Sequence, residues 1–269
     1  MTKIRLKCNQ ISLNGTDLKN DTYNFALEGL FDHEKSHFDS ELYSDGSFIP
    51  YTKINAKQMV LNGYIKSSNP SDHISINKIL SNRNLQELIV DVEGFRKVML
   101  NVKVTNRLTG DDYLGKISCQ LIAADPYLYE AEKQVLSINE IKGTSVKFPL
   151  RFPIRFESGE NFEKYVDNVG TEISYPVITI AGPCSDFIIK NETTNEKLDF
   201  AGLELLDGDS LVIDNRPKSR GIYLNGANRI DLKLGNWISC NIGQNYFTFS
   251  RVSNSSNNLC TIEFQSRWL

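Results

Sequence analysis

Along the first half of the chain, apolar and polar residues alternate with a period of two, the signature of strands with one buried face. Ile4, Leu6 and Cys8 alternate within a strand predicted over 3–13, closed by an Asn14-Gly15 turn. Tyr23 to Leu30 is a second apolar-rich strand. From Phe31 to Tyr51 the chain turns polar but stays studded with aromatics, and Asp45-Gly46 marks a hairpin turn inside it. Lys57 to Lys66 returns to strand, with Met59, Leu61 and Gly63 set against Val60, Tyr64 and Ile65. One segment breaks the alternation. Ile76, Ile79 and Leu80 recur at helical spacing behind Asp72 as N-cap, and Asn82 and Asn84 end that helix after about three turns. Strands resume over Leu88–Val92 and Phe95–Thr105, around a turn at Glu93-Gly94.

The pattern is cleanest near the middle. Ile117, Cys119 and Leu121 face one way, Ser118 and Gln120 the other, until Asp125-Pro126 stops the strand, because proline has no N–H to give to a ladder. Tyr127, Leu128 and Tyr129 follow as an apolar plug. Asp125, Pro126 and Tyr127 therefore read as a domain hinge, dividing the chain into residues 1–132 and 133–269. Beyond it come only short strands: 174–180, 187–190, 197–200, 210–213, 222–224, 230–234, 246–249 and 259–264. The intervening turns include Asp207-Gly208 and Asn225-Gly226. Many short strands with such turns indicate an antiparallel β-sandwich. The fold class is mainly β: an N-terminal β-rich domain with one helix, then a sandwich.

Composition narrows the function more than it names it. With 269 residues and 40% hydrophobic content the chain fills two ordinary domains. A net charge of −3 excludes a global basic field for holding nucleic acid, and no apolar run is long enough to insert in a membrane. The start lacks the apolar core of a secretory signal. The five cysteines are scattered without Cys-x-x-Cys spacing, so they read as buried thiols made in a reducing cytoplasm.

Chemistry-bearing motifs are sparse. His33-Glu34-Lys35-Ser36-His37 fits the H-E-x-x-H pattern, in which histidines one helical turn apart hold zinc. Its flanks carry no amphipathic helix, so it reads as an exposed loop and no metal site is assigned. No nucleophile elbow, phosphate loop or dinucleotide fingerprint occurs, and only three histidines are present for a triad. Neither enzyme nor cofactor is expected. Trp237, ahead of a strand, suits either the core or a sugar-stacking surface. A carbohydrate-binding protein whose sandwich grips a cell-wall glycan is therefore the alternative function.

Asp45-Gly-Ser-Phe48, Lys57 to Ile65, the single helix and the Asp125-Pro-Tyr-Leu-Tyr129 segment follow one another along the chain. Tyr175 to Gly182, Gly208 to Asp214, Asn236 to Asn245 and the terminal Arg267-Trp-Leu269 continue the series. In this order they resemble the distal tail protein family of long, non-contractile-tailed bacteriophages of Gram-positive hosts. The resemblance implies a homo-hexameric ring at the virion tail tip, assembled from protein made in the host cytoplasm. The N-terminal domain would close the ring, and a galectin-like sandwich would face outward. The implied partners are the tail tube protein, the baseplate hub or tail-associated protein and, in many relatives, a receptor-binding protein. DNA would pass through the channel without specific binding. For the ring contact, the residues themselves offer Leu42, Tyr43, Phe48, Ile49 and Tyr51 around Asp45-Gly46. That is more apolar surface than a free hairpin arm buries on itself.

Overall fold

A computed structural model describes residues 8–41, 47–95, 97–111, 116–138, 164–250 and 260–269. The chain divides into two compact units. The first comprises Met1–Glu132 with Trp268–Leu269, and the second Lys133–Arg267. The last two residues thus group with the first unit, although the sequence pattern runs the sandwich on to Leu269.

Unit 1 is a curled antiparallel sheet. Its strands are β1 (Cys8–Leu13), β2 (Thr16–Asp17), β3 (Tyr23–Glu28), β4 (Lys35–Glu41), β5 (Ser47–Ile54), β6 (Lys57–Ile65), β7 (Gln86–Val92), β8 (Lys97–Asp111), β9 (Lys116–Ala123) and β10 (Leu128–Glu130). The main sheet runs β2-β1-β7-β8-β9-β6-β3. It closes through Leu18, whose N–H donates to the Ile11 carbonyl while its own carbonyl accepts from Phe25 N. Closure removes the free edges that an open sheet would leave. Alternate side chains, among them Ile11, Phe25, Leu61, Leu88, Val90, Leu100 and Leu121, fill the interior.

Two details follow from side-chain size and parity. A bulge between Cys8 and Gln10 shifts the inward face from even to odd residues, so Ile11 and Leu13 point in where simple alternation from Cys8 would send them out. On β6 the inward residues are Lys57, Met59, Leu61 and Ile65, so Ile65 shares the Met59 face rather than opposing it. Gly63 completes that face because a Cβ there would lie 2.4 Å from the Phe25 ring.

The single helix α1 spans Pro70–Leu80 and buries Ile76 and Leu80. Its N-cap is Asn69, not Asp72: Asn69 Oδ1 accepts from Ser71 N, and Pro70 occupies the first turn, where its missing N–H costs nothing. Asp72 lies within the first turn, where its charge suits the helix dipole.

Unit 2 packs two antiparallel sheets over one core. Its strands are β11 (Gln134–Ile138), β12 (Lys164–Asn168), β13 (Val177–Ala181), β14 (Cys184–Asn191), β15 (Glu196–Leu205), β16 (Ser210–Asp214), β17 (Gly221–Leu224), β18 (Ala227–Asn228), β19 (Leu234–Gly235), β20 (Gly243–Ser250) and β21 (Cys260–Phe264). One sheet has the order β11-β21-β13-β16-β17-β18, the other β12-β20-β14-β15-β19. Ile178, Ile180, Ile213 and Ile262 from the first meet Phe187, Ile189, Phe200, Phe247 and Phe249 from the second. A final short strand, β22 (Arg267–Trp268), pairs with β10. The strand expected over 230–234 is instead a 3-10 turn at Ile230–Leu232 followed by β19. Asn228 Oδ1 accepts from Ile230 N, and Arg229 grips Asp231, which together favour a turn.

One stretch of unit 2, residues 236–242, crosses the sandwich without joining a sheet, yet Ile238 and Cys240 are fully buried. Its main-chain groups are satisfied mostly by side chains, including four buried asparagines. Asn215 accepts from Ile238 N at 2.8 Å and donates to the Pro176 carbonyl. Asn191 donates to the Ser239 carbonyl at 2.7 Å, and Asn168 donates to the Cys240 carbonyl at 3.2 Å. Asn245 accepts from Asn241 N and donates back to the Asn241 and Gly243 carbonyls. Glu196 Oε2 accepts from Ser239 N, and Ser174 exchanges two backbone bonds with Cys240. Replacing Asn215 by leucine removes both side-chain bonds and strands the buried Ile238 N–H, while the Pro176 carbonyl keeps only the Asn215 backbone N–H. Denaturant unfolding should report a loss of about 2 kcal/mol or more; a loss under about 0.5 kcal/mol would show that the segment is held by its apolar side chains alone.

Candidate assembly surfaces

Strands β4 and β5 pair with each other and, among the described residues, with no other strand. The register runs from Lys35 opposite Ile54 to Glu41 opposite Ser47, with a bulge between Phe38 and Ser40. Of the proposed contact residues, Phe48, Ile49 and Tyr51 lie on β5, while Leu42, Tyr43 and the Asp45-Gly46 turn lie outside the described residues. The histidine motif sits at the start of this hairpin. Lys35 to Glu41 is strand and not the exposed loop expected, so His33 and His37 share no helical face; His37 Nδ1 instead lies 3.0 Å from Thr52 Oγ1 across the pair. Among the described residues, no group of metal-ligating side chains gathers.

A two-stranded hairpin is marginal by itself in water, and this one is tied down at its base. Asn55 N donates to the Glu34 carbonyl, and Asn55 Nδ2 donates to Ser36 Oγ. Just below, Lys57 is 2% exposed, with Nζ donating to the Leu30 carbonyl at 2.9 Å and the Asp32 carbonyl at 3.1 Å. Burial lowers its pKa, opposed by the charge of Asp32. Phe31, between those two carbonyls, meets Phe95 edge to face at 5.5 Å, and Phe95 meets Trp268 the same way at 5.4 Å. The base of the hairpin is thereby joined to the end of the chain. Sequence reasoning passed over Lys57, since a lysine opening a strand reads as solvent-exposed. Its signal was parity: Lys57 lies on the same face as Met59 and Leu61.

The residues read as a hinge form a tight turn within unit 1. Pro126 is buried, Asp125 Oδ2 accepts from Tyr129 O–H at 3.0 Å, and Leu128 is fully buried at the start of β10. The two units divide seven positions further on, between Glu132 and Lys133.

On unit 2, Trp237 is half-buried and packs against the core, with Arg220 at 5.8 Å and Lys233 at 5.3 Å from its ring centroid. Arg220 also stands 5.8 Å from the ring of Tyr175, which Arg267 approaches at 5.0 Å. The tryptophan therefore serves core and cations together. Arg220 is placed by the loop that precedes β17. Asp214 accepts from Arg216 and from Ser219 Oγ, and Arg220 Nε donates to the Asn215 carbonyl at 3.2 Å. Burial works against the Asp214 carboxylate, but these hydrogen bonds and the Arg216 charge outweigh it and hold its pKa below the usual value.

Residues 169–268 match the family model of the siphovirus-type tail component, C-terminal domain. No curated protein matches the chain. Among solved structures, the Dit protein of phage SPP1, described as a paradigm of the hub adsorption apparatus in phages infecting Gram-positive hosts, superposes with a TM-score of 0.66 at 13% identity. The match covers 97% of this chain and 99% of that one. A chain of the phage P2 baseplate in its activated conformation with Ca matches at TM-score 0.54 and 13% identity, covering 94% and 97%. The same baseplate with Sr gives 0.51, with the same identity and coverage. At such identity these structures speak for the fold.

Two outcomes test this geometry. Lys57→Met keeps the stem but leaves the Leu30 and Asp32 carbonyls without their cation. Hydrogen exchange should then quicken across residues 29–57 and stay unchanged in unit 2; uniform protection in both would deny the clamp its role. For Asp214, a depressed folded pKa means its contribution is present above its ordinary value of 3.8 and lost as pH falls through the lower folded value. Melting of the intact chain should therefore weaken on acidification in that window, and Asp214→Asn should flatten that part of the profile.

Proposed function

We propose, for a chain that is a Dit-like siphovirus tail component by its C-terminal family domain and its whole-chain fold, that it forms a homo-hexameric ring joining the tail tube to the baseplate hub. In this reading DNA passes along the central channel, and unit 2 is the galectin-like module facing the host-adhesion apparatus, including any receptor-binding protein. The role is structural, at the virion tail tip, with assembly from subunits made in the host cytoplasm. The carrying observation is the β4–β5 hairpin: anchored firmly at its base, yet paired with no other strand of its own chain among the described residues. A ring of identical subunits needs a head-to-tail contact that closes by rotation, and an arm of this kind supplies one of its two surfaces. A mildly acidic chain, at net charge −3, also suits a channel to which DNA must not adhere.

Native mass spectrometry and light scattering of the full chain should show hexamers. Replacing Phe48 and Ile49 by serine should leave a folded monomer with an unchanged circular dichroism spectrum. A chain that stays monomeric at high concentration would overturn the ring, and hexamers persisting in the double variant would move the contact away from the arm.

A further inference from the structure

Several of the described cations of unit 2 hold a carboxylate. Arg216 holds Asp214, Arg229 holds Asp231, Lys133 holds Glu263 and Lys190 holds Glu192. Arg220 and Lys233 instead lie against aromatic rings and donate to main-chain carbonyls, and among the described residues neither forms an ion pair. Lys233 has exposed aliphatic side chains as chain neighbours: its N–H donates to the Ile230 carbonyl, Ile230 is 49% exposed, and Leu234, which follows it, is 61% exposed. The Arg220 guanidinium lies within reach of two rings, with Nε bonded to the Asn215 carbonyl, and its in-plane Nη donors match a carboxylate in fork geometry.

We propose that this stack of Arg220, Lys233, Tyr175 and Trp237 is a docking point for a partner protein's segment in which acidic side chains alternate with aliphatic ones. Its carboxylates bind Arg220 and Lys233, and its aliphatic groups cover Ile230 and Leu234. Tryptophan, tyrosine and arginine gathered beside apolar surface are the composition of a protein-binding hot spot. A nucleic acid would place phosphates against Ile230 and Leu234, and the chain as a whole is acidic. The inference shares with the proposed function only the premise that the chain works within an assembly. The stack lies in unit 2 and the arm in unit 1, so loss of hexamers leaves this test intact.

The test is a fluorescence titration of the full chain with a short synthetic peptide alternating glutamate and leucine. An all-glutamate peptide of equal length and inorganic tripolyphosphate serve as controls. The expected result is a saturable change in tryptophan emission that disappears in Trp237→Phe. Affinity for the alternating peptide should exceed that for either control, and should fall about tenfold or more in Arg220→Gln/Lys233→Gln, as for lost charge-assisted bonds. Arg220→Lys, which keeps a cation on the rings and so preserves the fold, should lose part of it. Equal affinity in the double variant, equal binding of tripolyphosphate or all-glutamate, or no saturable binding would each overturn the proposal. A change of oligomeric state in the double variant would reassign the surface to a contact between copies, and would overturn it as well.

Discussion

A stretch of backbone that enters a protein interior without joining a sheet must find a partner for every N–H and C=O, because an unpaired buried group costs about as much as a lost hydrogen bond. Residues 236–242 set that problem for unit 2. Asn168, Asn191, Asn215 and Asn245, with Glu196 and Ser174, solve it from strands and loops of both sheets. Each asparagine is fully buried and bonds to a fixed place on the segment. Such a network is unforgiving, since a half-satisfied version is worse than an apolar core. It also sets where Trp237 enters, and with it the face that carries Arg220 and Lys233.

Unit 1 applies the same logic with a charge. The loop leading to β4 leaves two carbonyls without strand partners, and the buried Lys57 supplies both hydrogen bonds from one ammonium group. Burying that ammonium is unfavourable, and the carbonyl dipoles together with the nearby Asp32 offset part of the cost. The result is a hairpin whose base is fixed by its own chain and whose strands, among the described residues, pair only with each other.

The thiols behave as bystanders to all this. All five cysteines are buried, and none is in a disulfide. Burial holds the Cys240 thiol far above its ordinary pKa and pushes Cys260 up to about 12, so neither is a nucleophile near neutrality. They act as small apolar side chains, Cys240 within the crossing segment and Cys260 at the start of β21.

Local pattern alone was enough to show that the chain is mainly β with one helix. Alternation in β7, β9, β13 and β16 is set by which face meets the core, and Ile76 and Leu80 mark the helix face directly. Resemblance in the order of motifs pointed to the tail-component family that residues 169–268 match. Other features have no local signature. β12 reads Lys-Tyr-Val-Asp-Asn and buries only Val166 as an apolar side chain, so no periodicity betrays it. Asn168, Asn191, Asn215 and Asn245 look like turn residues, and Lys57 looks like a surface lysine, because polarity in a sequence is read as exposure. Whether a polar side chain is exposed or is instead the hydrogen-bond partner of a distant main-chain group depends on residues up to 72 positions away, as between Asn168 and Cys240. Only the tertiary structure brings those groups together, and so only it decided which polar residues build this protein.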